Sequence, residues 1–189
     1  MRRDLVVVGS SWGGLDAVGQ LLAGLPPGFA AAVAIAQHRS PGFEDGTLAA
    51  LLGARGALAV REAEDKDPIE PGRAYLAPAD YHLLVDPEGF ALSIDEHVQY
   101  SRPSVDVLFE SAADAYGERA VAVVLTGANA DGAAGVEAVR ARGGVAIAQD
   151  PDGAERAEMP RAAIATGAVE RVLPLPEIAP FLVELCGVR

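Results

Sequence analysis

The sequence predicts a doubly wound α/β fold: a single, mostly parallel sheet with helices on both faces and an antiparallel hairpin inserted in the pattern. Three observations carry this prediction. Short apolar runs rich in Val, Ile and Ala alternate with segments whose apolar residues recur at helical spacing. The strongest of these runs empty into loops punctuated by glycine and carrying polar residues. No repeat, low-complexity tract or linker divides the 189 residues, so residues 1–189 read as one domain.

The first element is Leu5-Val6-Val7-Val8, a buried strand that Gly9 ends. Gly13 and Gly14 allow a tight turn into a helix with Leu15, Val18, Leu21 and Leu22 at helix spacing. Pro26-Pro27-Gly28 breaks the chain, and residues 32–36 form a second buried strand ending at Gln37-His38. After the loop Arg39-Ser40-Pro41-Gly42 comes a helix with Phe43, Leu48, Leu51 and Leu52 on one face, then a candidate third strand at 57–61. The middle of the chain differs. A short strand at 73–77 follows Pro71-Gly72, and residues 81–85 and 90–94 flank Asp86-Pro87-Glu88-Gly89 as a β-hairpin.

Alternation then resumes. Ser104 can N-cap a helix containing Val105, Leu108, Phe109 and Ala112, with Asp106 in the first turn, where the helix dipole favours a carboxylate. Residues 120–125 form the longest apolar β-type run and are expected as a central parallel strand, emptying into Thr126-Gly127-Ala128-Asn129-Ala130-Asp131-Gly132. A helix through Val136, Val139 and Ala141 stops at Gly143-Gly144. A strand at 145–149, a short helix started by Pro160, an edge strand at 171–173 and a helix at 176–185 complete the chain.

Half of the residues are hydrophobic and the mean hydropathy is +0.20, which excludes a disordered chain. No apolar run approaches the roughly 18 to 20 residues of a membrane span. The first residues lead straight into a strand and leave no room for a signal peptide. A soluble cytoplasmic protein without membrane insertion is expected. The net charge of −12 argues against nucleic acid or an anionic membrane as partner. Cys186 is the sole cysteine, so it cannot form an intramolecular disulfide, and it reads as a packing residue; no Cys/His cluster has zinc-ligand spacing, so neither metal nor cofactor is expected.

Chemistry concentrates at the strand ends. Gly9 to Gly13 reads as G-x-S-x-G, which would hold Ser11 on a nucleophile elbow. The same turn suits a phosphate or dinucleotide, but the third glycine of G-x-G-x-x-G is out of register and no acidic residue ends the second strand. Ser11, His38 and Asp131 each follow a buried strand, and in an open parallel sheet such loops share one edge. A Ser–His–Asp triad needs that arrangement, with His38 as base and Asp131 fixing its tautomer. Each residue has a rival role: His38 could simply bind backbone at a strand end, Asp131 could cap the helix that follows it, and Asp150 competes as orienter from the same edge. The glycines flanking the Asp131 loop favour Asp131, since they permit close backbone approach. His82 and His97 read as surface residues. Arg39, Arg102, Arg156 and Arg161 could reach the same edge and steer an acidic substrate, or stand as solvated surface arginines.

The chain resembles, over essentially its whole length, the catalytic domain of the chemotaxis protein-glutamate methylesterases, the CheB family. The matching phrases include Val8-Gly9-Ser10-Ser11-x-Gly13-Gly14, Gln37-His38-x-x-Pro41-Gly42-Phe43, Pro71-Gly72-x-Ala74-Tyr75, Arg102-Pro103-Ser104-Val105-Asp106, and Leu125-Thr126-Gly127 with Asp131-Gly132-Ala133. The resemblance implies a hydrolase that demethylates glutamate methyl esters on the cytoplasmic helices of methyl-accepting chemoreceptors and, in many members, deamidates glutamines. It implies Ser11 as nucleophile, His38 as base and Asp131 as orienter. Three departures stand out. Trp12 replaces the small hydroxyl residue usual after the nucleophile, and Ala128 and Ala130 alter the loop usually written G-M-G-x-D-G. No receiver domain precedes Leu5, so regulation is expected to be absent, supplied by a separate receiver-domain protein, or removed with a trimmed segment. The competing expectation is a silent or divergent member of this fold, acting as a scaffold or on a non-chemotactic ester.

Overall fold

The computed structural model describes residues 3–39 and 46–189. Its strands are β1 (Leu5–Ser10), β2 (Ala32–Gln37), β3 (Ala59–Glu62), β4 (Arg73–Leu76), β5 (His82–Asp86), β6 (Gly89–Ser93), β7 (Ala120–Val124), β8 (Val145–Gln149) and β9 (Arg171–Leu173). Its helices are α1 (Gly14–Ala23), α2 (Thr47–Gly53), α3 (Val105–Tyr116), α4 (Ala133–Ala141), α5 (Glu158–Ala165) and α6 (Leu175–Cys186).

Seven strands form one sheet in the order β3-β4-β2-β1-β7-β8-β9, every neighbouring pair parallel. The expected hairpin is a separate antiparallel pair, β5 with β6. Strands β1, β2, β7 and β8 are buried along their whole length because helices cover both faces, which is why they read as unbroken apolar runs. Side chains alternate between two cores. Leu5 and Val7 join Ala34, Ala122 and Val124 beneath α3, α4, α5 and the hairpin. Val6 and Val8 join Ile35, Val121 and Val123 beneath α1, α2 and α6.

The chain winds outward from β1 to one edge, then returns through the hairpin and α3 to place β7 on the other side of β1. The strand order therefore reverses beside β1, and the crevice beyond the carboxyl ends there is where sheets of this class bind ligands. Gly9 sets how closely α3 approaches that crevice: a Cβ at this position would collide with the Val105 side chain, so the first turn of α3 rests directly on the end of β1.

Most differences from expectation are boundary shifts. β3 begins two residues later than expected, and α5 begins two residues before Pro160, still within the first turn, where a missing N–H costs nothing. Phe43, expected on the α2 face, and the Pro41-Gly42 turn lie outside the described residues. Cys186 is buried against the α1–α6 core, and no described helix is long and apolar enough to cross a membrane.

Candidate active site

The ends of β1 and β2 put Ser11 and His38 side by side. Ser10 and Gln37 are the last paired residues, and the His38 N–H donates to the Ser10 carbonyl at 2.9 Å. The next residues, Ser11 and His38, follow strands that lie roughly 4.8 Å apart and take the face that carries α3. A buried polar pair fixes this junction on the opposite face. The Ser10 hydroxyl donates to Gln37 Oε1 at 2.6 Å, and Gln37 Nε2 donates to the carbonyls of Ser11 at 2.8 Å and His38 at 2.9 Å. Sequence reasoning passed over both residues; a glutamine closing an otherwise apolar buried strand is the signal that could have found them.

The third expected member reaches His38 directly. His38 Nε2 lies 2.7 Å from Asp131 Oδ2, and Asp131 is completely buried. The carboxylate accepts three further hydrogen bonds, from the Val105 N–H at 2.7 Å to Oδ2, and from the Ser104 hydroxyl at 2.9 Å and the Asp106 N–H at 2.8 Å to Oδ1. Those two amides are the first of α3, whose N-cap is Ser104, so Asp131 lies against the positive end of a helix. Burial pushes the Asp131 carboxyl up, but the hydrogen bonds from His38, Asp106 and Val105 outweigh it and hold it below the ordinary carboxylate range. An acceptor-only carboxylate makes Nε2 the protonated nitrogen and leaves Nδ1 with the basic lone pair.

Asp131 therefore does not cap the helix that follows it. Asp106, from the first turn of α3, does that instead: its Oδ1 accepts the N–H groups of Gly132 at 2.9 Å and Gly135 at 2.8 Å at the start of α4. The two helices exchange capping carboxylates. Asp106 is nearly buried, and burial pushes it up to about 6; the Asp131 charge adds to the rise, while the Gly135 and Gly132 amides oppose it.

Asp150 is a local residue. Its side chain accepts the Asp152 N–H at 3.0 Å in the turn after β8. His82, expected at the surface, is 1% exposed: Nδ1 accepts the Ser104 N–H at 3.1 Å, and Nε2 lies 3.0 Å from the Glu96 carbonyl. The expectation failed because a histidine at the start of a hairpin strand gives no sign that α3 packs over it.

Ser11 and His38 both face a cavity of about 410 Å³, with Trp12, Arg39, Tyr100 and Arg102 also in its walls. Among the described residues no hydrogen bond joins Ser11 Oγ to His38, and the group beside Nδ1 is Asn129 Nδ2 at 3.5 Å. The structure thus brings His38 and Asp131 into contact and seats Ser11 beside them without joining it. The N–H groups of Trp12 and Gly13 donate to no described acceptor, while the Ser11 N–H is taken by the Thr126 carbonyl at 3.0 Å. Trp12 is 60% exposed yet held, its Nε1–H donating to Glu155 at 2.8 Å and the Arg156 guanidinium lying 5.6 Å from its ring. Arg39 pairs with Glu62 at 2.6 Å, and Arg102 pairs with Asp80 at 2.6 Å while donating to the carbonyls of Ile94 and Asp95. Both arginines are engaged in holding the walls. No cluster of His, Cys, Asp or Glu among the described residues could hold a metal ion.

Comparison with known proteins bears on the family and the fold. The family model described as CheB methylesterase matches residues 6–182. A relative from Leptospira interrogans is 41% identical over 186 residues, covering 98% of this chain and 96% of its own length. An Anaeromyxobacter dehalogenans protein named protein-glutamate methylesterase/protein-glutamine glutaminase 2 is 45% identical over 97% of the chain, and protein-glutamate methylesterase FrzG of Myxococcus xanthus is 43% identical over 95%. The chain spans 54% of each of these two proteins. Among solved structures, the crystal structure of the Thermotoga maritima CheB methylesterase catalytic domain superposes with a TM-score of 0.93 at 35% identity, covering 98% of this chain and 100% of that one.

Proposed function

The chain belongs to the CheB methylesterase family, and from that premise we propose that it is a serine hydrolase of glutamyl methyl esters, acting through Ser11, His38 and Asp131. The substrate is the cytoplasmic helical region of a methyl-accepting chemoreceptor, and glutaminyl amides are a second substrate class. The observation that carries this reading is the 2.7 Å contact between His38 and a fully buried, four-times-bonded Asp131 at the cavity that Ser11 faces.

The Ser11 hydroxyl attacks the ester carbonyl carbon as its proton passes to His38 Nδ1. Asp131 stays ionised and stabilises the imidazolium through Nε2–H. The free amides of Trp12 and Gly13 receive the developing oxyanion; one such donor contributes on the order of 10² to 10³ in rate. The C–O bond to the methoxy group breaks, methanol leaves with the proton from Nδ1, and water repeats the sequence on the acyl-serine to release glutamate. With a glutaminyl amide the leaving group is ammonia.

A second reading, a protein of this fold without turnover, draws on one observation: the Asn129 amide lies beside Nδ1, the nitrogen the serine must use. Methanol release from a methylated receptor fragment separates the two. The wild type is expected to release methanol and Ser11→Ala to fall to background, a loss on the order of 10³-fold or more. Equal turnover by the variant removes Ser11 from the mechanism, and no release by either favours the second reading.

A further inference from the structure

We propose that His82 is a positioning residue for the acid–base pair, acting through Ser104 on Asp131. This rests on the reading of His38 as base and Asp131 as its orienter. Ser104 precedes α3 as its N-cap, so its own N–H points away from the helix and needs an acceptor from elsewhere. His82, at the start of β5, supplies it: the donor at Nδ1 is a backbone amide, so Nδ1 must be unprotonated, and Nε2 carries the proton toward the Glu96 carbonyl. One ring thus fixes the Ser104 backbone and the segment that runs on to His97 and Tyr100 in the cavity wall. With its backbone held, the Ser104 hydroxyl is aimed at Asp131 Oδ1, and Asp131 at His38. All of the groups between ring and carboxylate are buried: His82 is 1% exposed, Ser104 and Asp131 0%. Water therefore offers no replacement when the acceptor is lost.

Two isosteric substitutions separate the ring's two hydrogen bonds. Asparagine puts an amide oxygen near the place of Nδ1 and abandons Glu96; glutamine reaches the place of Nε2 and abandons Ser104. His82→Asn is expected to keep kcat within about threefold of wild type. His82→Gln is expected to lose on the order of 10-fold or more in kcat with little change in KM, within the roughly 10²-fold that a 1 Å misplacement can cost. Adding His82→Gln to Ser104→Ala should cost less than His82→Gln costs the wild type, because the hydroxyl part of the route to Asp131 is already gone and only the Val105 and Asp106 amides remain. A structural readout stands beside the kinetic one: the downfield proton resonance of His38 Nε2–H should persist in His82→Asn and shift or broaden in His82→Gln, with melting curves confirming that both are folded. The proposal is overturned if the two variants behave alike, or if the glutamine penalty persists in full in the Ser104→Ala background. If the wild type lacks esterase activity, the function proposed above fails and the resonance alone decides this inference.

Discussion

The two sides of the His38 ring are built differently. On the Nε2 side, Asp131, Ser104, Asp106 and His82 are buried, and each makes hydrogen bonds that others in the group depend on. Nδ1 has only the Asn129 amide beside it, and the cavity that the ring helps to line holds Ser11 without a bond to the ring, Trp12 at 60% exposure, and Tyr100 at 99% exposure on a tight turn whose central residues Gln99 and Tyr100 both have positive φ. Charge stabilisation works best when its dipoles need no rearrangement during reaction, so the carboxylate side gains from being fixed in advance. If Ser11 is the nucleophile, as proposed, the cavity side must admit a peptide side chain and release methanol, and a fully satisfied shell there would have to be dismantled at every turnover. Under the proposed function, the contrast corresponds to proton-holding at one wall and substrate entry at the other.

The most severe way to break the fixed side is Asp131→Asn. Asp131 accepts four donors on two oxygens, while an asparagine offers one oxygen and turns its NH₂ toward a donor. His38 would then lose both its tautomer and its stabilised imidazolium. By analogy with the Asp→Asn substitution measured in a serine protease triad, kcat for methanol release should fall by on the order of 10³ to 10⁴. A loss under tenfold in a folded variant would mean that the buried carboxylate is a helix cap and not part of the proton path.

The exchanged caps can be probed more gently through pH. Asp106 holds its proton up to about 6, above the value of an exposed aspartate. An acid whose folded value is raised binds more protons in the folded state, so its contribution to stability is fully present below the unfolded value and is lost as pH rises through about 6. Asp131 has the opposite sign: its lowered value gives stability above the unfolded pKa that is lost as pH falls through the folded one. Asp106→Asn retains an amide oxygen for the Gly132 and Gly135 amides but removes the titration. Its urea midpoint should therefore gain on the wild type between about pH 4.5 and 7.5. A constant difference across that range would show that the Asp106 charge is not the strained element.

The same contrast explains what the sequence made legible. Strands β1, β2, β7 and β8 are buried on both faces, so their apolar runs announce them, and a parallel sheet brings their ends to one edge; that was enough to associate Ser11, His38 and Asp131. What stayed hidden depends on how separate elements pack. Asp131 and Asp106 each stand near a helix start and look like local caps, but the packing of α3 against α4 gives each to the other helix. His82 looks superficial until α3 covers β5. Arg39 and Arg102 look available for an acidic substrate until Glu62 and Asp80 are found beside them. Periodicity reports which face of an element is buried, not which polar group on another element it meets.

The open side should yield a smaller and different effect. Trp12→Ala leaves the residue-12 backbone N–H in place for the oxyanion and removes an indole that Glu155 holds in the cavity wall. An exposed aromatic held in one orientation by a hydrogen bond has already lost the freedom that binding would otherwise cost, which makes it an effective contact for substrate. The variant should raise KM by about 3- to 10-fold, the loss of roughly 1 kcal/mol of binding, with kcat within about twofold. Glu155→Gln, which retains an oxygen for Nε1–H, should fall between wild type and Trp12→Ala if orientation of the ring matters. A drop in kcat equal to the drop in kcat/KM would instead place the indole's contribution in the transition state, and the division between a fixed proton-holding wall and an open substrate wall would have to be redrawn through Trp12.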